Sequence, residues 1–171
     1  MCTILAVIAS ITLYLDISRH YNKKIKEAIE KFLGRFLRIE ETNNYLSLTG
    51  SSYMALGLLI SSVFFSQGLA ITSWFVLIIS DCFAALVGMK FGHPLFNGKS
   101  YAGMITFFVS SVLVSIMSYF TIGYSTTFLI ILISSFLTML VEFFSKQIKI
   151  NDNLSIPLTY SLSTVIFGFI L

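Results

Sequence analysis

The chain alternates between long stretches almost without charge and short stretches that hold nearly all of it. Apolar runs approaching or exceeding about 18 residues read as membrane-spanning helices. The pattern predicts six, at about 2–15, 46–65, 69–89, 101–119, 126–144 and 154–171. The first lacks the basic n-region of a secretory leader, so a span is expected there and not a cleaved signal. The second is rich in small residues (Gly50, Ser51, Ser52, Ala55 and Gly57), which let helices approach closely. Ser66-Gln67-Gly68 and 121–124 read as short turns. Pro157 falls in the first turn of the last span, where a missing N–H is tolerated.

The interval from Asp16 to Glu41 breaks this pattern. It holds Asp16, Arg19, Lys23, Lys24, Lys26, Glu27, Glu30, Lys31, Arg35, Arg38, Glu40 and Glu41. Within it Tyr21, Ile25, Ile29, Phe32 and Phe36 recur at helical steps, which predicts an amphipathic helix lying at the membrane surface. Asn43-Asn44 ends it. Six alternating spans then put the intervals 16–45, 90–100 and 146–153 on one side. These hold 7, 2 and 2 Lys/Arg, all 11 in the chain. The excess of Lys and Arg marks that side as cytoplasmic and places both termini outside.

Composition agrees with this segmentation. Of 171 residues, 56% are hydrophobic and 11% charged, against about 25% charged in a soluble domain. The expectation is a single all-α polytopic membrane domain over residues 1–171, embedded in the lipid bilayer. A net charge of +3 is too small to argue for nucleic acid as a partner. Cys2 and Cys82 are far apart, so no disulfide framework is expected. His20 and His93 have no partner at ligand spacing, which argues against a zinc site.

Candidate chemistry gathers in one stretch. Asp81 lies within the third apolar run, and Gly88 and Gly92 follow it. Gly98-Lys99-Ser100 then opens the next run, with Gly103 one turn in. Glycines let a backbone approach a ligand, N–H groups at a helix start favour an anion, and a lysine adds a point charge for phosphate. An acid inside a span is costly and by default functional, and its oxygens suit Mg²⁺. Together these suggest a nucleotide-phosphate site on two membrane helices. A soluble P-loop is excluded, because His93 stands where its first glycine is needed and Pro94 follows. Glu142 is the other acid well within an apolar run, and Lys146 four residues on offers it a plain structural pair. Arg38, Glu40, Asp81, Lys99, Ser100, Glu142, Asp152 and Asn153 all fall at or near the lysine-rich face. An ion or proton relay through Asp81 and Glu142 is the competing reading, with a chemically inert scaffold behind it.

Ser80-Asp81-x-x-Ala84-x-x-x-Gly88-x-x-x-Gly92 followed by Gly98-Lys99-Ser100-x-x-Gly103 resembles the pattern of the CTP-dependent lipid kinases, which include dolichol kinase, yeast-type diacylglycerol kinase and phytol kinase. Arg38-x-Glu40-Glu41, Leu48-Thr49-Gly50 with Tyr53, Glu142, and Asp152-Asn153-Leu154-x-x-Pro157-Leu158 resemble further elements of that family in the same order. The chain departs from it in Ser80, where Gly is usual, and in a short 93–98 loop. The related phosphatidate cytidylyltransferases share part of the pattern but carry a late Gly-His-Gly-Gly metal motif that this sequence lacks. The resemblance implies transfer of a phosphoryl group from CTP to the hydroxyl of a membrane lipid, a polyprenol or diacylglycerol, with Mg²⁺. It implies catalytic roles for Asp81, Lys99 and Asp152. It implies nucleotide contacts from Arg38, Glu40, Gly88, Gly92, Lys99, Ser100, Gly103 and Asn153, and metal ligation by Asp81, Glu142 and Asp152. A CTP:lipid cytidylyltransferase is the alternative. The site is expected on the cytoplasmic face of a bacterial inner membrane or of the endoplasmic reticulum.

Overall fold

In the computed structural model the described residues are 2–21, 48–93, 95, 98–123 and 126–170. They form six helices at the six expected places, with no strand among them. These are α1 (Cys2–Tyr21), α2 (Gly50–Phe64), α3 (Gln67–Phe91), α4 (Tyr101–Ile122), α5 (Phe128–Ile148) and α6 (Asp152–Ile170). Five are long and apolar enough to cross a membrane. The exception is α2, whose 15 residues reach only about 22 Å at 1.5 Å per residue, against a hydrocarbon core of about 30 Å.

Local chemistry sets the helix ends. Thr49 caps α2, its side chain accepting from the Ser52 N–H at 3.4 Å. Ser100 caps α4 by accepting from the Gly103 N–H at 3.1 Å. Asn151 Oδ1 accepts from the Asn153 N–H at 3.0 Å at the start of α6. Gly123 ends α4 at φ 71°, a left-handed conformation that glycine adopts without penalty. The turn expected at Ser66-Gln67-Gly68 shrinks to Phe65-Ser66, because Gln67 and Gly68 already belong to α3.

Two features differ from expectation in a way that matters. The first span was expected to stop at residue 15, but α1 continues to Tyr21 and buries both Asp16 and Arg19. The remainder of the expected surface helix, residues 22–47 with Arg38, Glu40 and Glu41, lies outside the described residues. Secondly, α3 is interrupted by one turn of π-helix over Val76–Ser80, directly before Asp81. Such turns insert one residue into the helical register and often occur at functional sites.

Packing is inverted relative to a soluble bundle. Large apolar side chains such as Phe83, Leu86, Leu113, Met117, Phe136 and Leu162 face outward. The interior mixes an apolar cluster around Val76, Phe107, Ile156 and Tyr160 with many buried serines and threonines. Lipid gives apolar residues no reason to turn inward, so small side chains and interhelical hydrogen bonds set the contacts. Tyr160 Oη donates to Ser115 Oγ at 2.6 Å, Thr164 Oγ1 to Ser134 Oγ at 3.1 Å, and Trp74 Nε1 to Ser61 Oγ at 2.7 Å. Helix α6 is central, packing on α2, α3 and α5. A Cβ on Gly57 would stand 2.8 Å from the Asn153 carbonyl oxygen, so the small-residue face of α2 does allow the close approach expected of it.

Candidate functional site

The site lies at one end of the bundle, where the α3–α4 connection meets the end of α5 and the start of α6. The connection is tied by its own backbone: Gly98 N donates to the Leu95 carbonyl at 2.8 Å, and Leu95 N to the Lys99 carbonyl at 2.7 Å. Gly98 sits at φ 74°, a conformation costly for any residue with a Cβ. This turn aims Lys99 into the gap between α5 and α6. Its ammonium donates to the Glu142 carboxylate through Oε1 and to the Glu142 carbonyl at 2.6 Å, and lies 3.7 Å from Asp152 Oδ2. The Lys99 side chain is 18% exposed, and the two carboxylates 7% and 10%. One ammonium therefore holds two largely buried carboxylates from two helices. The Tyr101 and Phe143 rings, each next in sequence to a site residue, stack with centroids 6.4 Å apart and fix α4 against α5.

The plain pairing of Glu142 with Lys146 is not what the structure shows. The partner of Glu142 comes from 43 residues away. Lys146 instead reaches the same turn from outside, its Nζ 3.2 Å from where a Cβ on Gly98 would stand. Two lysines, Lys99 and Lys146, thus meet at the Gly98 turn, and Lys146 is a member of the site that spacing alone assigned elsewhere.

The glycines form a second group. A Cβ on Gly88 would stand 3.0 Å from Ser100 Oγ, and one on Gly103 would stand 2.9 Å from the Ala84 carbonyl. One on Gly92 would stand 2.1 Å from Ser100 Oγ. Gly88, Gly92 and Gly103 thus let the end of α3 and the start of α4 meet across Ser100, which fixes Lys99. The Ser100 hydroxyl is buried and occupied as the cap, and it satisfies the Gly103 N–H.

Asp152 and Asn153 act in opposite directions. Asp152 faces Lys99, whereas Asn153 Nδ2 donates to the Gly50 carbonyl at 3.0 Å and ties α6 to the start of α2. That start is held from the other side by a residue with no role in the sequence-based site: Asp16 Oδ2 accepts from the Thr49 N–H at 2.7 Å and from Thr49 Oγ1 at 2.8 Å. Asp16 Oδ1 also lies 3.6 Å from Arg19 Nε. The i,i+3 spacing of Asp16 and Arg19 was the available signal. Replacing Asp16 by Ala leaves the buried Arg19 without this carboxylate and the Thr49 N–H without an acceptor. Loss of one partner of a buried pair costs about 3–5 kcal/mol. Asp16→Ala is expected to lose helicity at markedly lower denaturant when titrated in detergent and followed by circular dichroism.

Asp81 sits half-buried in α3 just after the π turn. It is seven residues before Gly88, or about 10 Å along the axis, and so lies deeper in the bundle than the Ser100 contact. Among the described residues no three His, Cys, Asp or Glu side chains group closely enough to hold a metal ion by themselves. Thus Lys99, Glu142 and Asp152 come together, Gly88, Gly92, Ser100 and Gly103 brace them, and Asn153 holds α2. Arg38 and Glu40 lie outside the described residues.

No family model matches the chain, and no solved structure does. An uncharacterized protein of Rickettsia prowazekii is 53% identical over 168 residues, 98% of this chain and 82% of that protein. CTP-dependent diacylglycerol kinase 1 of Saccharomyces cerevisiae is 35% identical over 98 residues, 54% of this chain and 33% of the yeast protein. Phytol kinase 1 of Arabidopsis thaliana, a chloroplast protein, is 29% identical over 136 residues, 71% of this chain and 45% of the plant protein. At 53% identity over 82% of the rickettsial protein, the chain belongs to that protein's family, with the yeast and plant kinases as distant relatives over part of their length.

Proposed function

We propose that the chain is an integral membrane kinase that transfers the γ-phosphoryl group of CTP to the hydroxyl of a membrane lipid. The observation that carries this reading is the convergence of Lys99, Glu142 and Asp152 at one end of a lipid-embedded bundle, with Lys146 at the same turn. Phosphoryl transfer needs charge neutralisation and positioning more than covalent chemistry. Lys99 and Lys146 supply positive charge for the phosphates; Arg38 and Glu40, which the family resemblance assigns to the nucleotide, lie outside the described residues. The lipid oxygen forms a bond to the γ-phosphorus, the bond from that phosphorus to the β–γ bridging oxygen breaks, and CDP leaves. The hydroxyl proton passes to a carboxylate of the site. The nucleotide enters from the cytoplasm, the side to which the Lys/Arg excess in the sequence assigns this face, and the lipid headgroup lies at the same level.

The donor set fits Mg²⁺ in kind. That ion takes oxygen ligands and is commonly held by one or two carboxylates completed by substrate phosphates. Glu142 and Asp152, both at Lys99, are the groups that would hold it, and when bound it would offset phosphate charge; Asp81 does not group with them and enters the proposal as the further acid within a span. Asp81→Asn keeps the shape and most of the hydrogen-bonding capacity of the residue while removing its charge. It is expected to lower turnover at least about a hundredfold, with the denaturation midpoint in detergent little changed. Near-normal turnover would remove Asp81 from the reaction.

An ion relay explains Asp81 and Glu142 but leaves Lys99 between two carboxylates without a purpose. The deciding experiment uses the purified protein in vesicles containing diacylglycerol, a polyprenol or phosphatidate, with CTP labelled at either the α or the γ phosphorus. Label in diacylglycerol or polyprenol from γ-labelled CTP alone is expected. Label in phosphatidate from α-labelled CTP would identify a cytidylyltransferase, and no labelled lipid from either, across all three acceptors, would reject the reading.

A further inference from the structure

Lys99 has three N–H donors, and two of them are spent on Glu142, through its carboxylate and its carbonyl. Asp152 lies on the same ammonium. A phosphate that takes the donor now on the Glu142 carboxylate must displace it, and it does so beside two carboxylates that share the Lys99 ammonium, with Lys146 farther out at Gly98. The site as it stands favours a cation over an anion. A divalent cation reverses this, because it can take the carboxylate oxygens and leave the ammonium to the phosphate.

We infer that Glu142 is a positioning residue that reserves Lys99 until a divalent cation binds, so that polyphosphate and cation enter by exchange of partners: carboxylates from ammonium to cation, ammonium from carboxylate to phosphate. This rests on the nucleotide reading above and adds to it a function for the ion pair itself. It makes the affinity of Lys99 for phosphate conditional on the cation, and it lets the two buried carboxylates stay compensated in both states. Asp152 contributes from α6 in the same sense, at longer range.

The test is binding of inorganic tripolyphosphate to the purified full chain in detergent, measured by calorimetry in EDTA and in Mg²⁺. Glu142→Gln keeps an oxygen for Lys99 to donate to but removes the competing charge. In EDTA it should bind tripolyphosphate about tenfold more tightly than wild type, and in Mg²⁺ the difference should shrink to within about threefold. A merely structural role for Glu142 would leave the difference the same with and without the cation. A second readout needs no variant. Acetylation of Lys99 by acetic anhydride, mapped by mass spectrometry against the exposed Lys90 as reference, should rise several-fold when Mg²⁺ is added and fall when tripolyphosphate follows. Equal affinities of wild type and Glu142→Gln in EDTA, or Lys99 reactivity indifferent to Mg²⁺, would overturn the exchange and leave the nucleotide site standing. Absence of tripolyphosphate and CTP binding to wild type under every condition would overturn both.

Discussion

Lys99→Met should lower phosphoryl transfer by about a hundred- to a thousandfold, the loss typical when one preorganised group facing developing charge is removed. The effect should fall on kcat and on the KM for CTP, with the lipid KM little changed, because Lys99 faces Glu142 and Asp152 within the bundle end and not the lipid-facing surface. The same change should weaken the fold. Glu142 and Asp152 would lose the ammonium that compensates them, and uncompensated buried charge costs several kcal/mol. Their partial exposure, and their place at the end of the bundle, reduce this to about 2–3 kcal/mol. The two consequences separate in a double variant. Lys99→Met with Glu142→Gln should recover part of the stability, since Asp152 still loses the ammonium, and none of the turnover. Lys99→Arg should recover part of each, since a larger planar fork cannot reproduce the contacts of a compact ammonium. A raised lipid KM with normal CTP dependence would place Lys99 at the lipid headgroup.

The second large effect is steric. Gly92→Ala would place a methyl carbon 2.1 Å from Ser100 Oγ, 2.4 Å from Ser100 Cβ and 2.5 Å from the Gly88 carbonyl oxygen. The backbone at Gly92, with φ −90° and ψ 140°, is open to any residue, so lack of space alone forbids the side chain. The Ser100 rotamer cannot absorb the clash, because its Cβ is as much in the way as its hydroxyl. The start of α4 must move, and Lys99 moves with it. Overpacking of this kind costs about 1–3 kcal/mol. A displacement of about 1 Å at a reacting group can cost a hundredfold in rate. Gly92→Ala should therefore lower turnover by about that factor while remaining helical. Gly88→Ala, with its Cβ 3.0 Å from the Ser100 hydroxyl, should do so more mildly. Gly123→Ala is the matched control. It meets no atom within 4 Å, its strain comes from φ 71° alone, and it should leave turnover unchanged. Equal turnover in Gly92→Ala and Gly123→Ala would mean that the α3–α4 contact does not position Lys99.

The six helices were legible because lipid demands long apolar runs, and composition reports those directly. Their ends were less so. Asp16 and Arg19 read as the start of a surface segment, since charge in a sequence signals water. In the fold they extend α1, because Thr49 brings an N–H and a hydroxyl to Asp16. Glu142 shows a different limit. Helical spacing offered Lys146, four residues on, and could not see a lysine 43 residues away that the Gly98 turn delivers. Gly88, Gly92 and Gly103 were read as places where a backbone approaches a ligand. Close approach does occur there, between two helices across Ser100, and sequence alone cannot tell what a glycine makes room for. The π turn before Asp81 left no trace, because one additional apolar residue in an apolar run changes neither composition nor hydropathy.

On the proposed function the Lys99 turn holds the phosphates of CTP, with Mg²⁺ on Glu142 and Asp152. Equilibrium dialysis of labelled CTP against the purified protein in detergent with Mg²⁺ addresses it without requiring the lipid acceptor. Wild type is expected to bind one CTP saturably. Lys99→Met with Glu142→Gln, which removes the Glu142 charge together with the ammonium, is expected to bind it about ten- to a hundredfold more weakly, the range for loss of a charge-assisted contact of about 1.5–3 kcal/mol. Equal CTP affinity in wild type and the double variant would contradict the claim and move the nucleotide away from Lys99.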